Sequence, residues 1–273
     1  MAVIPILLTA TVDPQGMRGA EFSVEQRVAQ YVEAIRFYVA RVQSRPKVQM
    51  RIVFAENSGH IEDVKKKLAG MNLDVEWIDT VGPEYDQKRG KGYNETLLIL
   101  KAIEQSLTIR EAGCFFKVTG RLKLLNIDSL VCECLLKQPS QPLTFDFRAD
   151  CKDHDVYRWL HLPINGHAGE CRYWFATTAF FQTEMLPYID RLNDYAPNVC
   201  LAEDAMLEVC RATRGRAYCC DRFRTQARLS GVGGHALGKG MGFFYSTDND
   251  SFALRLKSTL HQLLRWLLPW WRC

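Results

Sequence analysis

Short apolar runs alternate with segments of helical periodicity along the first half of the chain. Ser23 and Gln26 have the spacing of a capping box, which predicts that a helix begins after Ser23. Further helices are predicted over residues 61–69 and 94–107. The apolar runs predict strands over residues 3–11, 50–55, 75–78 and 114–119. This alternation predicts an α/β fold, with an open, mostly parallel sheet flanked by helices.

No linker, low-complexity run or repeat divides the first 245 residues. We therefore predict one domain over residues 1–245, followed by a tail over residues 246–273, with a boundary near Asp150 as the alternative. A strand is predicted over 171–181 and a helix over 202–211. Ligands of such sheets bind outside the carboxyl ends of the strands, so we expect the functional residues there.

Basic residues lie at two such places. Lys117, Thr119 and Arg121 follow one another at the end of an apolar strand, where two fixed cations could neutralise a leaving diphosphate. Lys91 and Gly92 belong to a glycine loop that leads into a helix, and a helix N-terminus favours an anion. Solvated turns and strand ends are the alternative explanation for both groups.

Acidic residues supply candidate chemistry as well. Glu203 and Asp204 fall in the first turn of a predicted helix, where either one could act as a general base. Acids in that position also complement the helix dipole, so a purely structural role is the alternative. Asp146 and Asp150 flank a predicted strand end, where they could orient an acceptor sugar.

A glycine-rich segment over residues 230–242 predicts a mobile lid that orders on ligand binding. His235 and Lys239 are the side chains of this segment that we expect to bind the donor. A plain flexible loop is the alternative.

Net charge and cysteine content indicate which partners and which cellular compartment to expect. The formal net charge is +4, and residues 251–273 contain four basic residues and no acid. The chain lacks the wide basic field and the binding module that a nucleic-acid partner requires. Ten cysteines occur without a secretory leader or CxxC spacing, so we expect reduced thiols and a cytoplasmic protein.

The tail has helical amphipathicity. It is too short and too interrupted by polar residues to span a bilayer, but tryptophans beside arginines suit a membrane surface. A helix packed on the domain or on a second subunit is the alternative. Its apolar positions are Leu256, Leu260, Leu263, Leu264, Leu267, Leu268 and Trp271.

The order of these pieces resembles a GT-A (Rossmann-like) glycosyltransferase, in particular the inverting enzymes of family 2 and those of bacterial lipopolysaccharide and capsule synthesis. An aromatic stretch over residues 173–181 leads to Glu203 and Asp204. The resemblance implies Asp204 as catalytic base, with Glu203 as the alternate. It further implies that Glu56 and Asn57 contact the donor nucleoside.

The resemblance also implies that residues 91–95, and therefore Glu95, continue the contact with the nucleoside. At the strand end where the family carries an acid-x-acid metal motif, this sequence has Lys117-Val118-Thr119 instead. Either cations neutralise the diphosphate without a metal, or a magnesium or manganese ion is held elsewhere.

The expected activity is transfer of a sugar from a nucleotide-sugar donor to a hydroxyl of a lipid-linked or lipopolysaccharide acceptor, with inversion. The enzyme would be peripheral on the inner face of the cytoplasmic membrane. Two alternatives stay open at this point. One is a nucleotidyl or phosphoryl transferase on a similar sheet, and the other is a non-catalytic protein that binds a membrane surface.

Overall fold

A seven-stranded sheet forms the centre of the molecule in the computed structural model. The structure describes residues 3–17, 22–44, 49–137, 141–149, 166–213, 219–220, 223–236 and 242–245, together with 256, 259–260, 262–263 and 266–267. The strand order is β10-β6-β9-β4-β1-β2-β3. These strands are β1 (Val3–Ala10), β2 (Gln49–Glu56), β3 (Val75–Asp79), β4 (Cys114–Thr119), β6 (Leu143–Thr144), β9 (Tyr173–Thr177) and β10 (Cys219–Cys220).

One strand runs against the others. β9 pairs antiparallel with both β4 and β6, whereas the remaining pairs of this sheet are parallel. Phe116 of β4 lies opposite Phe175 of β9. The predicted α/β fold with an open, mostly parallel sheet is confirmed.

Six helices accompany the sheet in the described part of the chain. The capping box at the start of α1 is confirmed, because the Gln26 amide N–H donates to the Ser23 hydroxyl at 3.3 Å and the Ser23 N–H donates to the Gln26 side chain at 2.9 Å. The helices are α1 (Val24–Ser44), α2 (Ile61–Lys67), α3 (Gly90–Gln105), α4 (Leu107–Ala112), α5 (Ile127–Lys137) and α6 (Ala202–Thr213). Shorter helical turns cover Gln87–Arg89 and residues 178–191.

The core has two layers, one on each face of the sheet. On one face, alternate residues of β1 such as Ile6 and Leu8 pack with apolar side chains of α1, α2 and α5. On the other face, Leu7 packs with side chains of α3, α4 and α6. Since β1 is buried on both faces, its sequence is a continuous apolar run, as expected of a central parallel strand.

Strand β4 ends at Thr119, and the next strand along the chain does not belong to the seven-stranded sheet. Instead β5 (Lys123–Leu124) joins a separate three-stranded sheet with β11 (Leu229–Ala236) and β12 (Gly242–Tyr245). Most of the predicted glycine-rich lid is therefore strand β11, because backbone pairing needs no side chain and tolerates glycine. A further hairpin pairs β7 (Phe147–Ala149) with β8 (Gly166–Gly169).

The described tail residues are helical, and one of them contacts the domain. The Gln262 side chain accepts from the Gln226 N–H at 2.8 Å and donates to the Arg224 carbonyl at 2.9 Å. The apolar side chains described here are exposed, namely Leu256, Leu260, Leu263, Trp266 and Leu267. Within the described residues, no helix is long and apolar enough to cross a membrane. The division at residue 245 stays a prediction.

Candidate functional site

The sheet reverses its winding direction between β1 and β4. From β1 the chain moves to β2 and β3 on one side, and then returns to place β4 on the other. Such a reversal leaves a crevice at the carboxyl ends of the two strands. The Gly120 N–H donates to the Thr9 carbonyl at 2.8 Å, and a Cβ at Gly120 would lie 2.8 Å from that same oxygen. Glycine is therefore required at position 120 for the strand ends to meet.

Lys117 lies at the base of this crevice and is fully buried. Its ammonium contacts a Glu95 carboxylate oxygen at 2.7 Å, the Cys171 carbonyl at 2.6 Å and the Thr119 hydroxyl at 3.3 Å. An ammonium has three donors, so these acceptors use all of them. The structure thus gives Lys117 an internal partner, Glu95, instead of the predicted contact with a diphosphate.

Thr9 and Thr119 complete the network around this ion pair. The Thr9 hydroxyl donates to the same Glu95 oxygen at 2.7 Å. Thr119 accepts from Lys117, so its predicted donor contact is replaced by a contact within the protein. Glu95 itself stays partly exposed, with 31% of its side chain accessible. The network ties α3 to the ends of β1 and β4.

Lys91, Arg27 and Arg121 form a cationic group beside this network. Burial lowers the pKa of Lys91, and the nearby Arg121 and Arg27 guanidinium groups lower it further, whereas Asp194 and Glu203 raise it. Three like charges held so close repel one another, and an anionic ligand would relieve that repulsion. The predicted donor residues Lys91 and Arg121 are therefore brought together.

Glu203 faces the cationic group from the start of α6. Its carboxylate acts on Lys91 and also on the thiol of Cys171, whose pKa is raised first by burial and then by Glu203. Asp204 instead acts on the Cys200 thiol, whose pKa is raised by burial and further by nearby carboxylates that include Asp204. Of the two predicted acids, the structure thus brings Glu203 to the cations.

The N-terminus of α3 differs from the prediction. Residues 90–92 form its first turn and not a loop, because Gly90 adopts a positive φ of 84° that lets the chain turn directly into the helix. The Lys91 N–H donates to the Asp194 carboxylate at 2.6 Å, so a protein anion already caps this end. A Cβ at Gly92 would lie 3.2 Å from the Cβ of Ala202, so Gly92 packs against α6, and its contact with a donor stays a prediction.

Arg89 holds the segment that carries Asp194. Its guanidinium donates to the carbonyls of Ile189 at 2.7 Å and Asp190 at 2.8 Å, and it lies 3.7 Å from the centre of the Tyr93 ring. These contacts fix residues 189–194 against the beginning of α3.

Glu56 and Asn57 follow β2, as the resemblance led us to expect, but they bind the protein. Glu56 is fully buried and accepts from the backbone N–H groups of Val12, Ser58 and His60 at 2.9 to 3.1 Å. Asn57 accepts from the Thr11 hydroxyl at 2.8 Å. Both residues organise the loops at the crevice, and the sequence could not distinguish this role from a nucleoside contact.

The remaining predicted residues fall elsewhere. Asp146 is buried and accepts from the Tyr173 hydroxyl at 2.7 Å and the Phe223 N–H at 3.0 Å, and its contact with an acceptor stays a prediction. The backbone of His235 belongs to β11, but its side chain is not described. Asp150 and Lys239 lie outside the described residues. Among those residues, no group of three His, Cys, Asp or Glu side chains could hold a metal ion.

Three residues of this site were not predicted from the sequence. Arg27 is buried on the apolar face of α1, one turn before Tyr31. A charged residue within an otherwise apolar helical stripe was a signal that could have identified it. Tyr85, which lies within electrostatic reach of Arg27, and Asp194 come from irregular segments, and no periodic pattern marks them.

An open sheet with a cationic crevice at its switch point defines an α/β protein suited to an anionic ligand. No protein-family model matches the chain, and no curated protein matches it. Solved structures do, and those similar to it are mostly glycosyltransferases, the class that the sequence resemblance implied.

Three of these structures illustrate the range. The mannosyltransferase PcManGT from Pyrobaculum calidifontis, in complex with GDP-Man and Mn²⁺, is 11% identical with a TM-score of 0.46, over 100% of this chain and 65% of that one. The bifunctional glycosyltransferase WbbM is 12% identical with a TM-score of 0.48, over 97% and 45%. The inositol-1-phosphate CTP transferase from T. maritima is 10% identical with a TM-score of 0.42, over 95% and 96%. Similarity at this level carries no argument about activity.

Proposed function

We propose that the chain is a glycosyltransferase that moves a sugar from a nucleotide-sugar donor to a hydroxyl group of an acceptor. One observation carries the proposal: Lys91, crowded by Arg27 and Arg121, lies within electrostatic reach of the Glu203 carboxylate. A cationic group beside a carboxylate is what this reaction needs, because a diphosphate departs while a hydroxyl loses its proton.

The residues divide the chemistry between them. Lys91 and Arg121 stabilise the negative charge that develops on the leaving diphosphate. Glu203 accepts the proton of the attacking hydroxyl, whose oxygen displaces the diphosphate from the opposite face and inverts the anomeric carbon. Glu95 and Lys117 act through position, because their ion pair fixes α3, and with it Lys91, against the strand ends.

A divalent metal does not fit the end of β4. The buried ammonium of Lys117 takes the place where a metal-dependent member of the resembling family would carry an acid, and Arg121 adds a second cation nearby. Glu95, the carboxylate beside Lys117, is already engaged by that ammonium and by the Thr9 hydroxyl. Charge on the diphosphate is therefore neutralised by Lys91 and Arg121 instead of a metal ion.

Binding of donors tests the proposal directly. Thermal unfolding is followed with UDP-, GDP-, CMP- and dTDP-sugars in the presence of EDTA. A donor at about 100 times its Kd stabilises the native state by about 2.7 kcal/mol, which raises the Tm of a chain of this size by several degrees. We expect such a shift with at least one donor family. No shift with any donor would overturn the proposal, and a shift that appears only with added metal would favour a nucleotidyl transferase.

We further propose that the tail holds the enzyme at an anionic membrane surface, on the cytoplasmic side, beside a lipid-linked or lipopolysaccharide acceptor. The support is the row of exposed leucines on a helix that Gln262 fixes to the domain. An apolar stripe in a basic segment is typical of interfacial helices.

Vesicle sedimentation measures this contact. The double variant Leu260→Gln/Leu263→Gln is expected to lose most of its binding to anionic vesicles, because burial of the two side chains supplies the attraction. Leu136→Gln serves as the matched control, since Leu136 is also exposed but belongs to α5. Equal binding by the tail variant and the control would contradict a membrane role for the tail.

A further inference from the structure

Three buried polar groups near the crevice have no hydrogen-bond partner among the described residues. They are the Nε of Arg27, the hydroxyl of Tyr85 and the Nζ of Lys91. Such groups are rare in folded proteins, because a buried donor without an acceptor loses its bonds to water and gains none. Each case therefore calls for an explanation.

The guanidinium of Arg27 is held firmly in place. The residue is only 4% exposed, and its Nη1 donates to the Thr11 carbonyl at 2.8 Å. That bond fixes the plane of the guanidinium, so the orientation of Nε is fixed with it. The guanidinium is thus preorganised, and its Nε is a donor without an acceptor among the described residues.

Tyr85 lies within electrostatic reach of Arg27. Burial raises the pKa of Tyr85 to about 12, Asp13 contributes to the increase, and Arg27 opposes it. The hydroxyl therefore keeps its proton at neutral pH and can donate it. Since Arg27 also acts on Lys91, the three groups belong to one neighbourhood.

All three open groups are donors, and two of them carry positive charge. Carboxylates lie nearby, but Glu56 accepts three backbone N–H groups, Asp194 caps α3, and neither Asp13 nor Glu203 bonds to any of the three open atoms. The missing acceptor must carry negative charge and several lone pairs. A phosphate group meets both requirements, whereas a neutral sugar hydroxyl offers neither the charge nor enough acceptors.

We propose that Arg27, Tyr85 and Lys91 together bind one phosphate group of the ligand, and that this ligand is a diphosphate. The inference rests on the proposed function, which supplies the diphosphate of a sugar nucleotide, and it adds two residues from α1 and from the segment between β3 and α3. Tyr85 is a binding residue whose uncharged hydroxyl donates a hydrogen bond to the phosphate.

Tyr85→Phe separates this role from a structural one. Isothermal titration with inorganic pyrophosphate is expected to give an affinity about tenfold weaker than that of the unchanged protein, because one hydrogen bond to a charged oxygen is lost. Without ligand, the variant is expected to keep its Tm or gain slightly, since the deleted hydroxyl has no partner among the described residues.

Tyr38→Phe is the matched control. Its hydroxyl donates to the Leu122 carbonyl at 2.8 Å and accepts from the Leu124 N–H at 2.9 Å. This variant is expected to lower the Tm and leave pyrophosphate affinity unchanged. Lys91→Met, which deletes one of the two charges, is expected to weaken pyrophosphate binding at least as much as Tyr85→Phe does.

Three results would overturn the inference: no pyrophosphate binding by the unchanged protein, equal affinity in Tyr85→Phe, or a Tm loss in that variant without ligand. Failure of this inference and failure of the proposed function give different results. Pyrophosphate binding that depends on Tyr85, without binding of any nucleotide sugar, keeps the phosphate site and removes the transferase. Conversely, nucleotide-sugar binding that is unchanged in Tyr85→Phe keeps the transferase and removes the phosphate site.

Discussion

Glu203→Gln is expected to lower the rate of sugar transfer by about three orders of magnitude while donor binding persists. General-base catalysis contributes about 10²- to 10⁴-fold to rates, and an amide cannot accept the proton of the attacking hydroxyl. The position of Glu203 motivates the choice, since its carboxylate acts on both Lys91 and Cys171. The rate is measured at saturating donor and acceptor, and donor affinity is measured separately by titration.

Asp204→Asn provides the comparison within the same helical turn. It changes the neighbouring acid in the same chemical way, but Asp204 acts on the pKa of Cys200, whereas Glu203 acts on that of Lys91. We expect it to keep most of the transfer rate. If Asp204→Asn abolishes transfer and Glu203→Gln does not, the base is Asp204, as the family resemblance implies.

Glu95→Leu is expected to destabilise the protein by about 3 to 5 kcal/mol. Glu95 is partly exposed, but Lys117 is fully buried, so removing the carboxylate leaves a buried ammonium without its compensating charge. The free energy of unfolding from urea titration measures the loss. Such a loss is large relative to the total stability of a typical protein.

A surface pair of nearly equal length supplies the control. Lys101 contacts Glu84 at 2.8 Å, but the Glu84 side chain is half exposed. Glu84→Leu is therefore expected to cost less than about 1 kcal/mol. The double variant Glu95→Leu/Lys117→Met should recover most of the lost stability, because no charge then remains buried. A double variant as unstable as Glu95→Leu would show that the loss comes from packing of α3 and not from the ammonium.

The secondary-structure elements that could be predicted from the sequence are those whose formation depends on neighbouring residues. The capping box at Ser23 and Gln26 and the buried run of β4 are read from neighbouring residues, and both are confirmed. The glycines of residues 90–92 illustrate the limit of local information. Their helical state depends on a cap from Asp194, which lies about a hundred positions away in the chain.

The same limit applies to the site. A lysine at a strand end suggested a free cation, but its state is decided by Glu95 of α3 and by the Cys171 carbonyl. Charged side chains at strand ends look alike in a sequence whether they bind a ligand or one another. The positions of Arg27 and Tyr85 relative to Lys91 likewise arise only when three separate segments meet.

The antiparallel strand β9 has a consequence for the protein while it is being synthesised. β4 pairs with β1, which precedes it in the chain, but its other side is completed only by β9, which is synthesised later. Until then the backbone of an apolar strand has an open edge, and open edges of this kind pair readily with other chains. Nascent chains that stop before residue 173 would therefore be prone to aggregation, whereas the finished chain covers this edge.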